Sequence, residues 1–454
     1  MMKAGTFLKL TVAMSTCLLA NSAIAITTIE GNAGLQLSFN NPGARSLGMG
    51  GAFLALADDA TAAYTNPAGL SNLSRPEFSL EYRNTDFSTL YSDTGRLLGE
   101  TTGLGIDTVS GIVQKETSED VNSLSFISYV HPFEKWTLGA YRHQLADFKT
   151  GFQSQGPIIQ TRILSGDRLF ISRAAPSIND VDLNIVNWGL SASFRIGESV
   201  SIGAGISYYD FSFDTTTQRF GFEDLESRWM LSDFDEADQT SLTTQSGDDD
   251  TFGFTLGLLW SLNDKWSVGL VYRQGVEFDY DHQVTLSDGG SPEGITDFNV
   301  PDLYGAGITF RPTERFTLSL DVNRINYSDI TKNVVLQGGG LEVDYLAVND
   351  GTEIRLGGEY VFNTKNHFAL RAGVWHDPEH VIRHVGEIRE TSLDDDDLVL
   401  QNTSNTRATF FQPGDDEIHY SIGAGMVFKR LQLDAAMDFS DRVNTFSLSG
   451  VLFF

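Results

Sequence analysis

The amino-acid sequence predicts an all-β protein: a transmembrane antiparallel β-barrel of about 14 strands with an N-terminal hatch, or plug. Three observations predict it. The first is alternation. Between Glu417 and Phe428, the residues Ile418, Tyr420, Ile422, Ala424, Met426 and Phe428 fall on one face, and His419, Ser421, Gly423, Gly425 and Val427 on the other. A period of two means a strand with one apolar face. The second is strand length. Most of the fourteen segments run 10 to 16 residues, where a membrane-crossing strand needs about 9–11 and a strand of a soluble sandwich about 5–6. The third is the asymmetry of the connections: tight turns at one end and long polar loops at the other, as in an outer-membrane barrel.

Taken in chain order, residues 1–25 read as a signal peptide. Lys3 and Lys9 supply the positive start, Leu10 to Ala20 the short apolar core and Ala23-Ile24-Ala25 the small-residue cleavage site. The one cysteine, Cys17, sits inside the apolar run, not at its end, which argues against lipidation. Cleavage leaves a large exported chain without disulfides, as expected of a bacterial envelope protein stabilised by its own hydrogen bonding. Residues 26–75 are rich in Gly, Ala, Asn and Asp and do not alternate; they are expected to form the hatch. Residues 76–454 form the barrel, with strands over 76–88, 121–131, 135–147, 182–196, 199–213, 250–262, 265–281, 301–311, 315–328, 352–363, 366–376, 416–428, 430–440 and 443–454. Trp260 and Trp266 flank one tight turn, and Phe133 and Trp136 another, as a periplasmic aromatic girdle requires. The last strand sets Phe446, Leu448, Gly450, Leu452 and Phe454 on one face, an ending suited to barrel-assembly machinery.

Composition excludes several functions. With 60 acidic and 31 basic residues, the formal charge is −29, the wrong sign for a nucleic-acid partner. Outside the N-terminus there is no apolar run long enough for a membrane helix. Gly48-Met49-Gly50-Gly51 lacks the Lys-Ser/Thr of a phosphate loop, and Phe53 stands where a dinucleotide fingerprint wants Gly. No nucleophile elbow or triad is visible, so no catalytic residue and no cofactor are expected. His143 reads as a lone structural histidine.

The stretch Ala44-Arg45-Ser46-Leu47-Gly48-Met49-Gly50-Gly51-Ala52-Phe53, then Ala57-Asp58-Asp59-Ala60, then Asn66-Pro67-Ala68-Gly69-Leu70 resembles the N-terminal signature of the FadL/TodX outer-membrane transporters. Pro301-Asp302-Leu303-Tyr304-Gly305-Ala306-Gly307 and Leu370-Arg371-Ala372-Gly373 are similar to later strands of that family. The resemblance implies a fourteen-stranded barrel in the outer membrane of a Gram-negative bacterium, passive uptake of long-chain fatty acids or other hydrophobic molecules, gating by the hatch and lateral release into the membrane. It assigns Asn66, Pro67 and Ala68 to the hatch motif, while Gly48, Gly50 and Gly51 suit close packing of the hatch on the wall. Barrels of the PorV kind, accessories in protein secretion and surface attachment, carry a similar stretch and give the alternative reading.

Arg273, Arg355 and Arg371 stand opposite the apolar faces of their strands and are expected in the lumen, because a lipid-facing Arg costs about 2–4 kcal/mol at the midplane. Glu353 and Glu359 share the inward face with Arg355, so a salt-bridge ladder is one reading of these arginines. A bidentate clamp for a ligand carboxylate is the other. His376, His380 and His384 have helical metal-ligand spacing but span Pro378 in an outer loop, so no metal site is expected. The acidic runs Asp233–Asp238, Asp248–Asp250, Asp394–Asp397 and Asp415–Glu417 read as solvated loops, or as bridges through divalent cations to lipopolysaccharide. The expected partners are therefore a hydrophobic small molecule, outer-membrane lipid with lipopolysaccharide, and the assembly machinery during biogenesis.

Overall fold

The structure, a computed structural model, describes residues 39–101, 106–164, 168–221, 234, 239–286, 293–331, 346–363, 366–389 and 398–454. The expected leader, residues 1–25, lies outside the described residues, as do Asp394–Asp397 and the acidic residues of Asp233–Asp238.

Fourteen antiparallel strands close into a barrel: β1 Glu77–Arg96, β2 Gly111–Pro132, β3 Trp136–Ser154, β4 Ser177–Ile196, β5 Val200–Phe220, β6 Gln239–Ser261, β7 Trp266–Arg273, β8 Leu303–Thr313, β9 Phe316–Ile325, β10 Gly351–Phe362, β11 Phe368–Asp377, β12 Glu417–Val427, β13 Leu431–Phe439 and β14 Val443–Phe453. Each pairs with its neighbour in sequence, and β14 pairs back onto β1 from Glu77↔Phe453 to Phe87↔Val443. Closure leaves no free edge, which is what a sheet in hydrocarbon requires. Strand β7 breaks at Gln274-Gly275 and resumes as Val276–Leu286; β8 is preceded by Glu293–Val300, with the break at Pro301-Asp302, where proline has no N–H for the ladder.

The predicted tight turns fall where expected, each closing a hairpin such as Phe133 N–H to Trp136 O at 2.6 Å and Leu262 N–H to Trp266 O at 2.9 Å. Phe133, Trp136, Trp260 and Trp266 are exposed at this end. The open ends of β1 to β6 differ from expectation. They run well into segments read as loops, so that Asp248–Asp250 lie inside β6. There the ladder continues through polar stretches such as Thr215–Thr217 opposite Thr243–Gln245, whose inward side chains are buried but polar, so no apolar face reveals the strand. The long loops also hold a hairpin, Ile158–Leu164 with Arg168–Arg173, and a helix, Leu398–Phe410.

Inside, two layers follow. On the side of the short turns, residues 39–73 lie within a ring of small and polar inward side chains. On the side of the loops, inward aromatics pack together: Phe211 stacks on Phe278 at 4.7 Å, Phe213 meets Tyr280 at 5.2 Å and Phe211 meets Phe298 at 5.3 Å.

Candidate functional site

Residues 39–73 have little regular structure: a turn of helix α1, Ala44–Leu47, another, α2, Ala62–Thr65, and a 3-10 helix, Pro67–Asn72. Their backbone groups need partners elsewhere, and the barrel wall supplies them around the ring. The Gly43 N–H donates to Glu81 on β1 at 2.8 Å, and Ser128 on β2 donates to Ala60 O at 3.0 Å. Ser191 on β4 donates to Ala63 O at 2.6 Å, and Ser267 on β7 to Ala55 O at 3.1 Å. Asp321 on β9 accepts from the N–H groups of Phe53 and Leu54 at 2.7 and 2.8 Å. Ser421 on β12 accepts from Gly50 N–H at 2.9 Å, and Ser449 on β14 from Ala44 N–H at 3.1 Å.

Arg45 fastens the same segment by charge. Its Nε and Nη2 donate to the two oxygens of Glu359 on β10, both at 3.0 Å, while Nη1 reaches Asp58 at 2.6 Å. A bidentate guanidinium–carboxylate pair fixes orientation as well as energy. Glu359 and Asp434 in turn hold Arg371, each at 2.7 Å.

The glycines singled out in sequence sit where the backbone of this segment touches the backbone of the wall. Gly50 and Gly51 have φ of +63° and +73°, favourable for glycine. A Cβ on Gly51 would overlap the Arg355 guanidinium, and one on the wall residues Gly357 and Gly373 would overlap Met49 and Gly50. Asn66 caps the 3-10 helix, its Oδ1 accepting from Ala68 N–H at 3.1 Å; its Nδ2 donates to Leu54 O at 2.8 Å and to Leu258 O of β6 at 3.3 Å. Pro67 and Ala68 lie against Gly203 of β5, which has no room for a side chain.

All three arginines point inward and are buried. Arg355 pairs with Glu353 at 2.9 Å, donates to Asn40 Oδ1 at 3.0 Å and stacks on Trp375 at 3.8 Å. Arg371 has the two carboxylates already named. Arg273 has no carboxylate partner among the described residues: Nη2 donates to Tyr64 O at 3.1 Å, the guanidinium lies 3.9 Å from the Tyr64 ring centre, and Nε has no partner. The three histidines of the outer loop do not converge. His376 meets Asp416 at 3.1 Å, His380 meets Asp377 at 3.5 Å, and His384 meets Ser404 at 2.9 Å. The acidic triplet Glu277, Asp279 and Asp297 alone has its ligand atoms within reach of one ion among the described residues, and two of its members are exposed.

One feature was missed in sequence. The β2–β3 ladder runs only from Pro132↔Thr137 to Phe126↔His143. Beyond it, β2 stays paired with β1, while β3 bulges between Gln144 and Ala146 and stays paired with β4. The two strands meet again where Thr117 Oγ1 donates to Gly151 O at 3.0 Å. Between these points the wall has a window, backed by a cavity of about 70 Å³ that Arg83, Ser123, Ser125, Leu145, Ala146 and Phe148 help to line. Leu145, Ala146 and Phe148 belong to the same buried apolar cluster as Phe211, Phe278 and Phe298, so apolar packing runs unbroken from the outer lumen to the window. The signal was present as a slip in alternation: Tyr141 and His143 face in, then Leu145 and Ala146 fall side by side before Phe148 and Thr150 resume.

Comparison with known proteins agrees with this architecture. Residues 172–389, just under half of the chain, match the family model described as outer membrane protein transport protein (OMPP1/FadL/TodX). Outer membrane protein P1 of Haemophilus influenzae is 22% identical over 223 residues, which are 43% of this chain and 47% of that protein, so the match spans about half the length of that relative. Among solved structures, a Pseudomonas aeruginosa FadL homologue superposes with a TM-score of 0.61 at 15% identity, over 93% of this chain and 100% of the other. The toluene transporter TodX of P. putida does so with a TM-score of 0.57 at 16% identity, over 92% and 99%. At such identities the structural likeness establishes the fold alone. The family match across the central strands and the closed fourteen-strand wall make this chain similar to the FadL/TodX family of outer-membrane transport proteins.

Proposed function

We propose that this barrel admits hydrophobic small molecules, long-chain fatty acids or hydrocarbons, from outside the cell and releases them sideways through the window between β2 and β3. In this reading residues 39–75, the described part of the 26–75 hatch, close the lumen below, and Asn66, Pro67 and Ala68 with Gly48, Gly50 and Gly51 seat them on the wall. The observation that carries the reading is the continuity of the buried apolar cluster from Phe211, Phe278 and Phe298 to Leu145, Ala146 and Phe148 beside the window. An apolar chain following that path need not be rehydrated, which would cost about 0.8 kcal/mol per methylene. The matched FadL homologue, TodX and the CymD monoaromatic hydrocarbon channel are consistent with such cargo.

The test is uptake of labelled oleate and labelled toluene by cells whose outer membrane lacks its own fatty-acid channel. Wild-type protein should support entry of one or both, and Ala146→Trp, which fills the window from its edge, should reduce it at least several-fold at equal barrel abundance. Entry unaffected by Ala146→Trp would place the exit elsewhere. No entry of either label through a correctly folded wild-type barrel would remove the uptake reading.

A further inference from the structure

The lipid-facing surface of the barrel is not even. Between β9 and β14 its side chains shrink to Gly358 on β10, Ala372 on β11, Ala424 on β12 and Ala435 on β13, set side by side through the pairs Gly358↔Ala372 and Ala424↔Ala435. Larger, exposed neighbours surround them: Leu356, Ile422 and Met437 toward the outer end, Tyr360 and Leu370 toward the short turns. The result is a recess of about 980 Å³ in the outside of the wall, at the upper end of the range of ligand pockets, about 300–1,000 Å³. Its floor lies three or four residues from the short-turn ends of these strands, about 10 Å into the membrane from that side. The inner face of the same patch is as bare: Gly357, Gly373 and Gly423 there touch the backbone of Met49, Gly50 and Gly48. The wall is little more than its own backbone, with the N-terminal segment on one side and the recess on the other.

No water fills a recess in hydrocarbon, and left empty it would forfeit the dispersion contacts of its lining. A second copy does not fit, because a two-fold interface would set the same hollow against itself. Charge at the rim selects among lipids. The turns on the side of the recess, residues 311–315, 363–367 and 429–430, carry five basic residues and one acidic; those on the other side, 131–135, 197–199 and 262–265, carry two basic and three acidic. Lys429-Arg430 joins β12 to β13, directly below Ala424 and Ala435, and both side chains are exposed and without an ion-pair partner among the described residues. We propose that the recess holds the acyl chains of one anionic glycerophospholipid of the periplasmic leaflet, whose phosphate lies at Lys429 and Arg430. The lipid supports the wall from outside where the N-terminal segment presses on it from inside, and the site does not depend on the uptake reading.

Native mass spectrometry of the purified full-length barrel, titrated with phosphatidylglycerol and with phosphatidylcholine of the same chains, tests this. The wild type is expected to retain one phosphatidylglycerol at a concentration at least tenfold lower than phosphatidylcholine, since each cation near a lipid head group contributes roughly fivefold. Lys429→Gln with Arg430→Gln should erase that preference, while Lys135→Gln with Lys265→Gln, on the other side, should leave it. Ala424→Phe, which fills the floor from the lipid side, should weaken retention of both lipids. Heat-dependent gel mobility verifies that each variant is folded. Equal retention of the two lipids by the wild type, a preference that survives loss of Lys429 and Arg430, or retention unchanged in folded Ala424→Phe would each overturn the site.

Discussion

At the scale of single residues, what decides a side chain's role is who already holds its charge. Arg355 and Arg371 are saturated by Glu353, Glu359 and Asp434 and tie strands to one another and to the N-terminal segment. The sequence shows that the three arginines face inward, since alternation sets them opposite lipid-facing residues such as Leu270 and Leu356. It does not show that Arg273 alone lacks an acid, because that depends on Asp434, some 160 positions along the chain, reaching Arg371 and not Arg273. His380 presents the opposite case, a histidine held by an acid outside the membrane. Burial alone would push its imidazole down, but the Asp377 carboxylate and the Pro378 carbonyl beside it carry it up to about 9. Its ring also stacks on Tyr327 at 4.5 Å. Because the folded value lies above the ordinary value of about 6.5, its contribution is complete below that value and is lost as pH rises through about 9. Limited proteolysis of the segment after β11 should therefore accelerate between pH 7 and 10, and His380→Asn should abolish that step. A rate independent of pH in the wild type would show that the Asp377 contact does not order this segment.

At the scale of elements, the strand pattern was the most legible part of the molecule, because a lipid face and a lumen face enforce period two wherever hydrocarbon touches the wall. All fourteen predicted strands exist and each tight turn closes a hairpin. Their outer extensions were hidden because the inward side chains there, such as Thr215, Thr217, Thr243 and Gln245, are polar although buried, so no apolar alternation reveals the strand. The window was hidden for a different reason. Pairing is a property of two strands, and the slip at Leu145-Ala146 shows only that β3 changes phase, not that β2 fails to follow. The glycines were half legible. The run Gly48 to Gly51 advertises close approach, but its counterparts Gly357 and Gly373 become meaningful only once the fold sets them against Met49 and Gly50. This contact gives a test of how tightly the segment is seated. Gly373→Ala places a methyl into the backbone of Gly50, and the wall strand, fixed in register by Gly357 and Ser421 on either side, yields less readily than the irregular segment. Single-channel recordings in planar bilayers should show a higher open probability or larger conductance for Gly373→Ala than for the wild type. Unchanged recordings would mean that the strand gives way instead.

At the scale of the whole molecule, the barrel joins two kinds of interior: an outer apolar lumen that welcomes hydrocarbon and an inner ring of serines, acids and glycines that grips the N-terminal segment. Beside the Arg45–Glu359 pair and the apolar packing of Tyr64 and Leu70 on Phe126 and Tyr141, much of the ring's hold is reversible: single hydrogen bonds from Ser128, Ser191 and Ser267, and one that Ser421 accepts from Gly50 N–H. Each contributes about 0.5–1.5 kcal/mol, so part of the segment can leave the wall without unfolding the barrel. If the segment must move for cargo to pass, fixing it should stop transport. Ala63 on α2 and Gly139 on β3 offer the place: a Cβ on Gly139 would lie 3.1 Å from the Cβ of Ala63, a few tenths of an ångström inside the usual disulfide spacing of about 3.5–4.5 Å. The only native cysteine, Cys17, lies in the expected leader, so Ala63→Cys with Gly139→Cys should form one defined bridge. The bridge pins Tyr64 beside Arg273 and His143. Oleate uptake should be low under oxidising conditions and return on reduction, while barrel abundance and gel mobility stay constant. Uptake that is the same with the bridge closed and open would make the N-terminal segment a fixed floor, past which cargo reaches the window without displacing it.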